Sequence, residues 1–285
     1  MKQTFFVAGG DSRQAAAAEL LHARGYAAAV FGLERGAHLT PETAARMGSA
    51  DVVLLPLPAA DGGFLNAPAM EKKLPMETLW PLLQPRQKIF GGMLSEELLR
   101  SAAEYGLRPI DYFKREEFVL RNAYITAEGA LELTMGRLPR TIRGTPCLVI
   151  GYGRIGKFLA RLLCALGAEV TVAARQGKDV VQAQLDGCRG CSLAQLAHIL
   201  PRCGVVYNTV PHLILDRALL ERMDRRCLCI DLASKPGGVD RAAARELGLS
   251  TEWALSLPGK LAPASAGEAI LETVFQILKE QEVPA

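Results

Sequence analysis

Six residues, Gly151-Tyr152-Gly153-Arg154-Ile155-Gly156, constrain this chain more than any others. They follow the apolar run Cys147-Leu148-Val149-Ile150 and open a helical pattern, Arg154 to Leu166, that Gly167 stops. A second apolar run, Val170 to Ala173, comes next. A G-x-G-x-x-G hexapeptide alone is weak, because glycine-rich turns are common; placed between a strand and a helix in a βαβ unit it becomes specific. There Gly151 permits the tight turn, Gly153 lets a diphosphate approach the backbone, and Gly156 lets the helix pack closely. The helix N-terminus adds unpaired N–H groups and a favourable dipole. The expectation is a dinucleotide-binding unit, with Gly151, Tyr152, Gly153, Arg154, Ile155 and Gly156 at the pyrophosphate.

The residues that follow bear on which dinucleotide. Where an NAD site usually presents Asp or Glu to the ribose hydroxyls, the second strand ends in Ala173-Ala174-Arg175-Gln176-Gly177-Lys178. Arg175 and Lys178 offer cations and a planar donor fork to a 2′-phosphate, so NADP is expected in preference to NAD. The alternative is a solvated Arg175 with Asp179 taking the acid's place. Asn208-Thr209-Val210-Pro211 ends another strand, and Thr209 and Pro211 are expected on the nicotinamide side. The segment Asp231 to Gly238 ends the next, bringing Asp231, Ala233 and Lys235 to the same sheet edge. Both segments also read simply as turns. His212 is the one histidine beside the nicotinamide loop, and a lone histidine there is more often structural.

At 285 residues the chain exceeds one ordinary domain, so two are expected. The first 115 or so alternate strands (Thr4 to Ala8, Ala27 to Phe31, Asp51 to Leu55, Lys88 to Phe90, and near Pro109 to Tyr112) with helices at Asp11 to Arg24 and Ser95 to Tyr105. A longer helix, Glu117 to Met135, bridges to a domain opening at Pro146. There strands Val205 to Asn208 and Cys227 to Asp231 alternate with helices Leu193 to Leu200 and Asp216 to Met223. After a loop, Ser256 to Ala266, an amphipathic helix runs from Gly267 to Glu280. The fold class is α/β: two doubly wound parallel-sheet domains, flavodoxin-like then Rossmann, joined by a long helix. Boundaries are set at 1–120, completed by a C-terminal helix over 264–285; at 121–140 for the linker helix; and at 141–263 for the dinucleotide domain.

With 33 basic against 30 acidic side chains, the chain has no electrostatic footprint for nucleic acid. The apolar stretch from Phe158 to Ala174 is broken by Arg161 and Glu169, so no membrane span is expected. The first residues lack the pattern of a signal peptide, and a cytoplasmic protein is expected. Seven cysteines form no secreted disulfide framework. Cys188-Arg189-Gly190-Cys191 and Cys227-Leu228-Cys229 could hint at zinc, but reading them as small buried thiols is preferred and no metal is expected.

Taken together, several segments resemble the A subunits of bacterial dipicolinate synthase over nearly the whole chain. They are Val7-Ala8-Gly9-Gly10-Asp11-Ser12-Arg13-Gln14, Leu55-Pro56-Leu57-Pro58, Arg115-Glu116-Glu117-Phe118 and Asn122 to Ala130. The second domain adds Gly151 to Gly156, Asn208 to Pro211, Asp231 to Gly238, and Leu257-Pro258-Gly259-Lys260-Leu261-Ala262-Pro263. The resemblance implies NADP-linked oxidation of a dihydropyridine dicarboxylate from the lysine pathway to aromatic dipicolinate during sporulation, in the mother-cell cytoplasm. It also implies a separately encoded, flavoprotein-like B subunit, and a homo-oligomer is expected. A planar dianion calls for cations and N–H donors near the nicotinamide, and aromatisation drives hydride loss, so heavy acid/base machinery is unnecessary. On this reading Arg13, Asn122, Thr126 and Lys260 hold the carboxylates and Glu128 accepts a proton. Each also has a plainer role: a surface arginine, two packing residues of the bridge, a loop lysine and a solvated glutamate.

Two rival readings stand beside it. A D-2-hydroxy acid dehydrogenase shares the two-domain plan but uses an arginine, a carboxylate and a late histidine. Here Lys235 stands where the arginine is expected and no histidine follows His212. A non-catalytic NADP-binding component of a complex is the other.

Overall fold

A computed structural model describes residues 2–282. The chain divides into two compact units: one holds the residues up to Asn122 together with those from Pro258 onward, the other Ala123–Leu257.

In the first unit, β1 (Phe5–Ala8), α1 (Ser12–Ala23), β2 (Ala28–Phe31), α2 (Pro41–Ser49), β3 (Val52–Leu54), β4 (Lys88–Gly91), α3 (Glu96–Glu104) and β5 (Ile110–Asp111) follow one another. The five strands are parallel, in the order β2-β1-β3-β4-β5. This is the flavodoxin-like order, with its switch point between β1 and β3. Every side chain of β1 and β3 is buried, as in a sheet covered on both faces. Phe6, Val53, Leu55, Ile89 and the fully buried Trp80 anchor the core.

The long helix α4 (Glu116–Arg137) leads to the second unit. It comprises β6 (Pro146–Ile150), α5 (Arg154–Ala165), β7 (Glu169–Ala174), α6 (Gly177–Leu185), β8 (Arg189–Ser192), β9 (Val205–Asn208), β10 (Leu228–Asp231) and β11 (Ser250–Trp253). Its six parallel strands run β8-β7-β6-β9-β10-β11, the Rossmann order, which opens a crevice where the loops after β6 and β9 diverge.

Two helices close the chain, α7 (Leu257–Leu261) and α8 (Pro263–Glu282). α8 packs along α1, and glycine makes the approach possible: a Cβ on Gly267 would lie 2.7 Å from the Arg13 carbonyl and 2.8 Å from the Ala17 nitrogen. Ile270, Leu271 and Val274 are fully buried on this face.

The expected loop over 256–266 is a correction. Pro258 sits in the first turn of α7, where a helix does not need its N–H, and helix resumes at Pro263. Gly259 serves close packing rather than a turn, since its Cβ would lie 3.0 Å from an Asp11 carboxylate oxygen. The short polar edge strands β8 and β11 and the helices α2 and α6 add to the elements expected.

Candidate dinucleotide site

The apolar strand β6 delivers its chain to Gly151 at the crevice. Gly151 has φ +94°, which a side-chain-bearing residue rarely adopts, and an added Cβ would lie 2.4 Å from Thr209 Oγ1. Gly156 meets the preceding turn: a Cβ there would lie 2.2 Å from the Gly151 carbonyl oxygen. Gly153 differs, because its Cβ would have nothing within 4 Å. It is also the N-cap of α5, and no side chain caps that helix. The N-cap position of α5 thus combines open space with the absence of a capping side chain, as a diphosphate site requires. Arg154 and Ile155 form the exposed and half-buried start of the helix.

This loop floors a cleft of about 570 Å³ walled by Ala173, Ala174 and Arg175 on one side and by Thr209, Val210, Pro211 and His212 on the other. Thr209 is fixed from both ends, its N–H and Oγ1 each donating to the Ile150 carbonyl at 2.9 Å. Arg175 stands exposed just past β7, with Lys178 exposed in the first turn of α6. Among the described residues neither forms an ion pair. The one carboxylate on this wall is the half-buried Asp179.

Tyr152 lines the cleft, and its hydroxyl donates to Asp186 Oδ2 at 2.6 Å. Burial, and then the Asp186 carboxylate, raise the phenol's pKa, so it remains a donor. The bond ties the glycine loop to the residue that ends α6. Asn208 and Asp231 lie behind the cleft wall rather than on it. Both are buried, and Asn208 Nδ2 donates to Asp231 Oδ1 at 2.7 Å and to the Val210 carbonyl at 2.9 Å. Asp231 also accepts the N–H groups of Ala233 and Gly238. This network pins the loops after β9 and β10 to each other and is the contribution of Asn208, Asp231 and Ala233. Sequence reasoning finds the residues but not the bond, since a pairing across 23 residues leaves no local signal.

The residues expected to hold a substrate divide between the units. Arg13 is 7% exposed, and its guanidinium grips Asp11 while Nη2 donates to the Leu57 carbonyl at 2.5 Å. It therefore links the loops after β1 and β3 at the first sheet's switch point instead of standing on the surface. Lys260 is exposed on α7, next to Gly259, whose carbonyl accepts the Ser12 hydroxyl. Asn122 is half-buried in α4 within the same unit. Thr126, buried, and Glu128, exposed, lie further along α4 in the second unit.

The cysteine motifs separate. Cys188 touches Cys164, Cys191 Sγ donates to the Val172 carbonyl, and Cys227 and Cys229 are buried on and beside β10. No group of three or more metal-ligating side chains occurs among the described residues. No helix there is long and apolar enough to cross a membrane.

An open helix N-terminus at the switch point of a six-stranded parallel sheet defines a nicotinamide-dinucleotide-binding domain. In agreement, residues 121–243 match the NAD-binding domain of D-isomer-specific 2-hydroxyacid dehydrogenases. The chain is similar to dipicolinate synthase A subunits: residues 4–113 match the N-terminal domain of that family. The dipicolinate synthase A subunit of Bacillus subtilis (strain 168) is 32% identical over 192 residues, 67% of this chain and 65% of the relative. The match thus spans just under two thirds of that relative's length. Among solved structures, the dipicolinate synthase A subunit from Bacillus halodurans superposes with TM-score 0.84 at 24% identity, covering 99% of this chain and 98% of that one. The corresponding dipicolinate synthase structure from Bacillus subtilis gives 0.81 at 26% identity, over 98% and 97%.

Proposed function

We propose that this protein is the NADP-dependent A subunit of a dipicolinate synthase, oxidising dihydrodipicolinate to dipicolinate during sporulation. The observation that carries the reading is the presence, in one chain, of an open dinucleotide cleft and the N-terminal domain of the dipicolinate synthase A subunits. Gly153 and the uncapped start of α5 suit the pyrophosphate, and the unpaired Arg175 and Lys178 suit a 2′-phosphate. NADP, when bound, supplies the hydride acceptor. Loss of a hydride from a ring carbon and a proton from the dihydropyridine gives the aromatic dicarboxylate, NADPH and H⁺. Thr209 and Pro211 orient the nicotinamide. Lys260, Asn122 and Thr126 contact carboxylates, Glu128 takes up the proton, and Arg13 braces the switch-point loops of the first sheet.

A separately encoded flavoprotein-like partner, a homo-oligomeric state and a mother-cell cytoplasmic location complete the proposal. The test is dipicolinate formation by the purified chain with NADP, with and without a candidate B subunit. Dipicolinate and NADPH appearing in equal amounts support the reading, and no product in either arm refutes it. A D-2-hydroxy acid dehydrogenase is the second reading, favoured by the match over residues 121–243. It predicts turnover of 2-hydroxy acids instead, whereas a purely structural component binds NADP and turns over neither.

A further inference from the structure

At the C-terminal end of α5, two thiols far apart in sequence meet. Cys164 Sγ, in the last turn of α5, lies 3.6 Å from Cys188 Sγ, in the turn between α6 and β8. Cys188 is buried, while Cys164 is partly exposed and is the only one of the seven cysteines that is not buried. Disulfide sulfurs sit about 2.05 Å apart, so about 1.5 Å of travel separates contact from a bond. No other cysteine pair among the described residues makes such a contact: Cys191 and Cys203 donate to backbone carbonyls. A second link joins α5 to the same turn, for Arg161 of α5 reaches Asp186, two residues before Cys188, at 3.5 Å, and Tyr152 of the glycine loop donates to the same carboxylate.

We propose that Cys164 and Cys188 form a reversible redox site, oxidised to a disulfide by peroxide, that clasps the C-terminal end of α5 to the α6–β8 turn. Cys164, reachable from solvent, attacks hydrogen peroxide as the thiolate. Its sulfur takes one oxygen to become a sulfenic acid, and the second oxygen leaves as hydroxide, which is protonated to water. The Cys188 sulfur then attacks the sulfenic sulfur, the S–S bond forms, and the sulfenic oxygen departs as a second water. Two thiols and one peroxide give one disulfide and two waters, and an exchanging thiol reverses the step. The division of labour follows the surroundings. Burial, and then the neighbouring Cys164, push the Cys188 thiol up to about 12, which shields it from direct oxidation and leaves Cys164 the first to react.

The test treats the full chain with hydrogen peroxide at low equivalents and maps the thiols by mass spectrometry, with and without reductant. The expected result is one intramolecular Cys164–Cys188 crosslink, reversed by dithiothreitol, with the other five thiols still alkylatable. Cys188→Ser leaves Cys164 to proceed to the sulfinic acid, a signature that a merely structural thiol would not give. The closed loop of about 25 residues raises the second unit's Tm by about 5 °C or more. Tyr152→Phe lowers Tm in the reduced protein and clearly less in the oxidised form, because the disulfide holds the same α6–β8 turn. Sulfinic acid at Cys164 in the wild type without a crosslink, or a crosslink through any other pair, overturns the proposal.

Discussion

The two units solve the same problem at the end of their first strand in opposite ways. In each, a buried parallel strand runs through glycines into a helix N-terminus at the sheet's switch point. At α1 the N-terminus is closed: Asp11 accepts the Arg13 N–H, and Gln14 Oε1 accepts the Asp11 N–H, a complete capping box. Arg13 then neutralises Asp11, and a Cβ on Gly10 would run into the Gln14 side chain at 2.4 Å. At α5 the N-cap is a glycine with no capping side chain and empty space before it. One turn is capped by its own side chains and the other is not. Equivalent folds therefore carry different duties, and the side chains at three or four positions decide which.

That contrast can be broken by substitution. Asp11→Ala removes the cap of α1 and leaves Arg13 buried without its partner, which should cost about 3–5 kcal/mol of first-unit stability and leave dinucleotide affinity unchanged. Denaturant melts and a cofactor titration check both halves. Gly156→Ala forces a methyl against the Gly151 carbonyl, so about 2–4 kcal/mol of second-unit stability is expected to go, with affinity falling alongside. Gly153→Ala separates the two effects. Stability should fall by no more than about 1 kcal/mol, the cost of alanine over glycine at an N-cap, while dinucleotide affinity drops tenfold or more, about 1.4 kcal/mol. A Gly153→Ala protein that binds normally would mean that no diphosphate lies over α5.

The smallest effect concerns pH. Burial raises the Asp11 pKa, but the hydrogen bonds and charge of Arg13 outweigh it and the net shift is downward. A depressed carboxylate stabilises the fold fully above its unfolded value of about 3.9, and that contribution is lost as pH falls through the lower folded value. The first-unit Tm gap between wild type and Asp11→Asn should thus be flat near neutrality and narrow only below about pH 4.

Much of this fold is legible in the sequence because its signals are local. The glycine fingerprint, the apolar strands that flank it and the alternation that implies parallel sheets all lie within windows of a few residues. The bridging helix reads correctly to within two residues at each end, since its alanines, leucines and glutamates favour helix without help from packing. Tertiary context hides the rest. Pro258 and Gly259 read as a loop because the need for a bare backbone against Asp11 cannot be seen locally. β8 carries a glycine and no β-branched residue, yet a Cβ on Gly190 would lie 2.5 Å from the Val180 carbonyl, so close packing of α6 chose that residue. Asn208 and Asp231 read as facing the cofactor because both end strands at the correct edge, and only the fold reveals that they face each other.

Whether the second unit is built for NADP is tested most directly by titrating NADP and NAD into the purified full chain and into Arg175→Ala. The wild type should bind NADP at least tenfold more tightly than NAD, and the variant should lose that preference while NAD affinity stays unchanged. Equal affinity for both cofactors in the wild type, or a preference for NADP that survives in the variant, would contradict a site built for NADP.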